Sequence, residues 1–388
     1  QQENSRLFSN MGFRLAQDLE TRFYFSYVDT DSQLPGNLTK EQLKDDPKQA
    51  NQFSNNGRQK RDFKLTRFAN RTVKTLEEGQ VEFSAFYSQK ELWHPIYQVL
   101  EQRSDDYGLS LRYVNEAPFA GHRNRFVLGF EPSAGEVDDD RFVNNKGHAG
   151  KRTAHFNQKV NTYVLYGENH FYLQPDWALI IGAQATHTSR NQEDLFKAGG
   201  VDLTRERSYH RVSPKLGVVY DASPSVQFFG NVSNSFEPPS FAELATGPAT
   251  SPVFADAQHA TTFEMGSRGK LGAAEWDVAV YRANVRKELL ARMDPVTGAP
   301  LGTVNADKTF HQGVEAGLNL QIDERFSLNQ VYLFNDFRFD NDPVFGDNHI
   351  AGIPRHFYKA ELLYKGEQGF YAGPNIEWSP QKYYVDHA

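Results

Sequence analysis

Apolar and polar residues alternate one for one along most of the chain. Over Glu20–Asp31, Phe23, Phe25 and Tyr27 share one side while Arg22, Tyr24 and Ser26 share the other. Val81, Phe83, Ala85 and Tyr87 oppose Glu82, Ser84 and Ser88, and Trp177, Leu179, Ile181, Ala183 and Ala185 oppose Gly182, Gln184 and Thr186. The cleanest run sets Val314, Ala316, Leu318, Leu320 and Ile322 against Glu315, Gly317, Asn319 and Gln321. A period of two marks a β-strand with one apolar and one polar face. Sixteen such strands in eight hairpins are predicted. The connections alternate in length. Short turns fall at Ala16–Leu19, Glu77–Gly79, Gln174–Asp176, Ala222–Ser225 and around Gly272, and long polar loops at Ser32–Gln59, Pro95–Asp106, Pro132–Ala154, Asn191–Arg207 and Asp340–Pro354. One helical turn is predicted over Leu38–Leu43. After Phe236 the pair Pro238-Pro239 ends a strand, because proline has no N–H to give a ladder and fixes its own φ.

The pattern predicts an all-β fold, an antiparallel transmembrane β-barrel. Its strands exceed the roughly five or six residues usual in globular sheets and match a tilted strand crossing a bilayer. Short turns alternating with long loops are the habit of outer-membrane barrels. The apolar face then meets lipid, and Glu82, Gln184, Glu315, Asn319 and Gln321 form interior wall. Trp93, Tyr172, Trp177, Trp276 and Trp378 are expected in two interfacial girdles.

Composition agrees. Of 388 residues only 39% are apolar, yet 13% are aromatic, with 30 Phe and 18 Tyr, a surplus of rings suited to interfaces. The net charge of −7 has no basic stripe, which argues against nucleic acid as a partner. There is no cysteine for disulfides or thiolate chemistry. The longest apolar run, Trp177 to Ala183, is far short of a membrane helix of roughly 20 residues. Gln1–Asn4 shows no signal-peptide pattern, so the start is expected to be mature or cut.

Candidate chemistry is sparse. His148, His155, His170, His187 and His210 lack paired ligand spacing, and Gly266, Gly269 and Gly272 precede no helix that could receive a phosphate. Ser235 and Ser240 stand beside prolines without a nucleophile elbow. Asp138-Asp139-Asp140 is a calcium candidate in a predicted loop, with a solvated acidic tip as the stronger reading. No catalytic residue, metal site or cofactor is expected, and the chain is not read as an enzyme.

Asn231-Val-Ser-Asn-Ser-Phe-Glu-Pro-Pro-Ser-Phe-Ala-Glu-Leu244 resembles the mid-barrel signature of TonB-dependent outer-membrane transporters. Phe263–Gly269, Ala279–Arg282 with Glu288-Leu289, Asn305 with Gly313-Val-Glu315, Ile353–His356 and Gly369–Trp378 are similar to segments that follow it in order, covering about Tyr209 to Ala388. Leu34-Pro-Gly-Asn-Leu38 is similar to the ferric-siderophore branch, including the ferric-citrate type. The resemblance implies a barrel of about 22 strands around an N-terminal plug. It also implies a ferric siderophore or similar iron chelate as ligand, the TonB-ExbB-ExbD complex as energy source, and outer-membrane lipid as surroundings. Strands begin near Arg6 with no plug-like segment or TonB box, and Tyr383–Ala388 lacks a terminal aromatic strand. Residues 1–388 are therefore read as a partial barrel domain, with plug and terminal strands missing.

An anionic chelate calls for cations, and arginine's planar fork suits carboxylates. Arg190, Arg205 and Arg207 bracket one predicted extracellular loop, and Arg141, Lys151 and Arg152 sit in the preceding one; Phe142, Phe196 and Phe241 are aromatic candidates. The competing reading makes each arginine a surface charge balancing Glu193, Asp194 and Glu206. Two other functions stay open: a passive porin-like channel, and a soluble β-rich binding protein or carbohydrate enzyme.

Overall fold

The computed structural model describes residues 2–244, 255–293 and 300–380. Seventeen strands belong to one sheet. They are β1 (Gln2–Ala16), β2 (Leu19–Ser32), β3 (Asp62–Leu76), β4 (Gly79–Pro95), β5 (Gln98–Asn115), β6 (Asn124–Asn145), β7 (His148–Gln174), β8 (Trp177–Asp194), β9 (Arg205–Ser223), β10 (Val226–Glu237), β11 (Gln258–Leu271), β12 (Ala274–Met293), β13 (Pro300–Gln321), β14 (Phe326–Phe339), β15 (His356–Lys365), β16 (Tyr371–Ala372) and β17 (Asn375–Trp378). Short helices α1 (Lys40–Asp45) and α2 (Gln52–Asn56) lie between β2 and β3, and α3 (Phe241–Leu244) follows β10. Every predicted strand is present, the last one split into β16 and β17. The expected helical turn is α1, closed by a capping box between Thr39 and Gln42.

Two compact units are formed. One comprises Gln1–Asn115, Val127–Tyr166 and Ala185–His210; the other comprises Glu116–Phe126, Gly167–Gln184 and Arg211–Ala388. In the first, β1 to β5 pair antiparallel in succession. In the second, β9 to β15 do so, and β15 then pairs with both β16 and β17.

The register sorts side chains into rows. Phe25, Phe68, Tyr87 and Tyr107 stand opposite one another across β2–β5, a four-strand aromatic row. On the same face, toward the turns, Phe83, Leu109 and Leu111 are more than two-fifths exposed. Toward the long connections the face changes character: Asp29, Lys64, Glu91 and Arg103 form a row of alternating charge. Side-chain hydrogen bonds cross the opposite face. Arg71 donates to Glu82 at 2.7 Å, and in the second unit Lys215 donates to Glu168 at 2.9 Å and Arg268 to Gln227 at 2.6 Å.

Glycines let aromatic rings lie flat on these strands. Gly108 faces Phe86, Gly266 faces Phe229, Gly269 faces Trp276 and Gly313 faces Tyr281, each pair directly opposite in register. A Cβ at Gly266 would meet the Phe229 ring at 2.5 Å.

The predicted loops Pro95–Asp106 and Pro132–Ala154 are corrected. The first is a tight connection between β4 and β5, and the second is the top of a long hairpin that turns at Lys146-Gly147. Acidic and polar residues argue for loop by propensity, but cross-strand polar side-chain contacts accompany the ladder beyond the apolar band. Asn157 donates to Glu136 at 2.6 Å, and His155 sits 3.1 Å from Asp138. In the second unit Phe339, Leu290, Ala306 and Ile350 form a buried cluster under the β14–β15 connection.

Candidate ligand-binding site

The arginines singled out from the sequence are carried on strands rather than loops. Arg141 lies on β6, where its Nε and Nη2 donate to Asp139 at 2.9 and 2.6 Å, and its guanidinium sits 5.2 Å from the Phe156 ring centroid. Asp139 is fully buried and also accepts from Gln102 at 3.0 Å. A buried carboxylate needs such partners, so much of the Arg141 charge is committed to holding β5, β6 and β7 together.

The same face continues along the sheet. Gln158, two residues from Phe156, donates to Gln192 at 2.8 Å, and Thr162 and Thr188 share a 2.8 Å hydrogen bond. Arg190, half-buried on β8, donates to Thr188 and to the Ser189 carbonyl. Arg207 on β9 stands 5.0 Å from the centroid of the Tyr209 ring. Alternation along each strand thus gathers Arg141, Arg190 and Arg207 on one polar face. Arg205 is on β9 two residues before Arg207 and donates to the Thr204 carbonyl at 3.2 Å.

Arg152 is engaged elsewhere. Its Nε lies 3.0 Å from Asp140, and its guanidinium is 5.6 Å from the Phe142 centroid. The balancing acids named from the sequence, Glu193, Asp194 and Glu206, are not the partners of Arg141 and Arg152; the aspartates of β6 are. The hairpin also brings His155 beside Asp138 and Asp140, and potential ligand atoms of the three lie within 4.8 Å of one another. Sequence spacing missed this grouping because the residues meet across strands. Arg152 and the His155–Asp138 contact already compensate it.

Asp194 organises the β8–β9 connection. It is nearly buried, its carboxylate accepts from the backbone of Phe196, Lys197 and Leu203 at 2.9 to 3.0 Å, and its own N–H donates to Thr204. Lys197 and Asp202 clasp the loop at 2.8 Å. Lys197, followed by the Thr204 hydroxyl, holds the Asp202 carboxyl well below the ordinary carboxylate range, and Asp202 raises Lys197 in turn.

β10 stops at Glu237, as the two prolines require. Glu243 then accepts from the N–H and hydroxyl of Ser240 at 2.8 and 2.7 Å, and Phe241 is half-buried on α3, in the second unit. Residues 245–254 of this connection lie outside the described residues. The returning chain is tied by Asn305, which donates to the carbonyls of Asp256 and Lys287 at 3.0 and 2.7 Å and accepts from Asp256 N at 2.7 Å.

One feature went unread in the sequence. The Ser32–Lys60 connection, with α1 and α2, covers a cavity of about 760 Å³ whose lining includes Leu34, Pro35, Lys48, Ser54, Arg58, Lys60, Trp93, Lys146 and His148. The cations come from three separate stretches, and only Gly57-Arg-Gln-Lys-Arg61 hinted at them.

A sequence model of the family "TonB dependent receptor-like, beta-barrel" matches residues 4–388. The metal-pseudopaline receptor CntO of Pseudomonas aeruginosa (strain UCBPP-PA14) is 22% identical over 223 residues, 56% of this chain but 30% of that protein. Among solved structures, the unliganded ferric citrate transporter FecA aligns with a TM-score of 0.81 at 15% identity, over 97% of this chain and 57% of its own. The siderophore receptor PiuA from Acinetobacter baumannii gives 0.77 at 14%, over 97% and 64%. The alcaligin receptor FauA from Bordetella pertussis gives 0.72 at 13%, over 99% and 61%. At such identities these structures speak for the fold, and the chain spans only part of each. The match over nearly the whole chain decides the family: this protein belongs to the TonB-dependent receptors, through their β-barrel domain.

Proposed function

We propose that this chain is the barrel portion of a bacterial outer-membrane receptor that takes up a ferric siderophore or similar iron chelate. A plug domain outside residues 1–388 closes the barrel, and the TonB-ExbB-ExbD complex drives transport through it. The family match over residues 4–388 carries the reading. The names of the similar proteins support the ligand class, since they are receptors or transporters for metal-pseudopaline, alcaligin and ferric citrate. No covalent chemistry is involved. In the first unit Arg141, Arg190 and Arg207, with Arg205 and Arg152 nearer the connections, offer cations to an anionic chelate; Phe241, in the second unit, is a separate aromatic candidate. The apolar face meets lipid and the polar face lines the lumen. A family of receptors favours gated uptake over a passive channel.

The test is uptake of radiolabelled iron chelates by cells producing the full-length receptor. Accumulation should stop when the proton gradient is collapsed or TonB is deleted. Accumulation that continues without the gradient would overturn energised transport in favour of the passive channel.

A further inference from the structure

We propose that the cavity beneath the Ser32–Lys60 connection is a binding site for a ligand carrying clustered oxyanions, carboxylates or phosphates. The proposal stands independently of the transport reading.

Four cations line the cavity, Lys48, Arg58, Lys60 and Lys146, and no carboxylate does. Lys60 pairs with Asp62. Among the described residues no carboxylate pairs within 4.0 Å with the charged group of Lys48, Arg58 or Lys146, although Asp46 accepts from the Lys48 backbone N–H at 2.9 Å, in a chain whose net charge is −7. Across Trp93 the adjoining cavity, about 570 Å³, has six carboxylates against Lys64 and Arg103. Acid is therefore close at hand, yet it is kept out of the cationic cavity. Like charges gathered without counterions repel, and a bound polyanion relieves that repulsion.

Two of these cations sit in turns, Arg58 with φ 44° at the end of α2 and Lys146 with φ 50° in the two-residue turn between β6 and β7. Asn144 fixes the two segments against each other, donating to the Gly57 and Ile96 carbonyls at 2.9 and 2.6 Å and accepting from Gly147 N at 2.7 Å. Ser54, only 5% exposed, adds a hydroxyl-bearing side chain to the lining. The cavity is therefore held in shape before any ligand arrives.

The test uses the full-length receptor in detergent and a triple variant, Lys48→Ala, Arg58→Gly and Lys146→Asn. The last two replacements suit the left-handed backbone, so the fold is kept, which matched thermal unfolding verifies. Titration calorimetry follows citrate and pyrophosphate, and co-flotation follows vesicles of phosphatidylcholine with or without a diphosphorylated lipid. The parent should bind at least one of these anions in a salt-sensitive way, and the variant should bind it at least tenfold more weakly. Lys48→Arg alone should keep the affinity. Binding of soluble anions assigns the site to a free ligand, and binding of phosphorylated vesicles alone assigns it to a lipid headgroup; both uphold an oxyanion site. Equal binding by parent and variant, or none by the parent, overturns it. Gradient-dependent iron uptake that survives in the variant leaves the transport reading standing whatever becomes of this cavity.

Discussion

Asp194 and Asp202 are eight residues apart in one connection and do different work. Asp194 is buried and spends its carboxylate on backbone N–H groups, while Asp202 is exposed and held by the Lys197 ammonium. The second interaction depends on pH in a definite direction. The folded-state value of Asp202 lies below its ordinary 3.8, so protonation is disfavoured in the closed loop. The clasp therefore contributes fully above about pH 4, and is lost as pH falls through the lower folded value. Amide exchange over residues 196–203, corrected for the chemical rate, should show protection at pH 7 that drops below pH 3, and Asp202→Asn should abolish the difference. Equal protection at both pH values would remove the clasp from the account. Sequence alone named Glu193, Asp194 and Glu206 as counter-charges because they are near in the chain. Arg141 instead pairs with Asp139, two residues away on the same face of β6, and Arg152 with Asp140 across the hairpin, a contact set by register, which alternation does not reveal.

At the scale of the elements, the strand count was legible and the strand ends were not. Alternation is visible where one face is apolar, as in Val314–Ile322, and it fades where both faces carry charge, as in Glu136–Asn145. Ladders continue there on cross-strand hydrogen bonds and the Arg152–Asp140 ion pair, so β6 and β7 run far past the predicted Glu131 and His155. The glycines carry a second message that propensity misreads as weakness. On β13 a Cβ at Gly313 would run into the Phe334 carbonyl oxygen and lie 2.7 Å from the Tyr281 hydroxyl, whereas at Gly317 its nearest contact, the Asp277 carbonyl oxygen, is 3.8 Å away. Only Gly313 is needed for close approach of a ring. Gly313→Ala should destabilise by about 1–3 kcal/mol, the cost of overpacking. Gly317→Ala should be neutral or stabilising by about 0.4–1 kcal/mol, through lost freedom of the unfolded chain. Thermal or denaturant unfolding in the same detergent decides the matter, and equal effects at the two positions would show that ring packing is not what fixes Gly313.

The whole molecule displays its apolar residues where a soluble protein would hide them. Leu7, Phe8, Met11, Phe13 and Leu15 on β1, and Phe263 and Met265 on β11, are all at least half exposed. An exposed apolar surface of this extent needs a nonaqueous neighbour, and the aromatic row Phe25, Phe68, Tyr87 and Tyr107 has the character of its upper margin. Beyond that row the same face is charged. Trp93, expected in a girdle, stands on this face opposite Asp62 and Glu101. Trp177 is different: it begins β8 beside the short Pro175-Asp176 turn, is 39% exposed, and stacks on Tyr220 at 4.4 Å. Two single-tryptophan forms separate these environments, one keeping Trp93 and the other keeping Trp177, with the other three of the chain's four tryptophans changed to Phe in each. Reconstituted into bilayers with brominated acyl chains, the Trp177 form should be strongly quenched and the Trp93 form should emit nearly as in unbrominated lipid. A water-soluble quencher should reverse the order. If bromine quenches both equally, the charged row Asp29, Lys64, Glu91 and Arg103 lies within the lipid span, and the aromatic row is not its margin. Quenching of Trp177 and not of Trp93 upholds the aromatic row as the margin of the apolar band on β2 to β5, with the charged row beyond it in water.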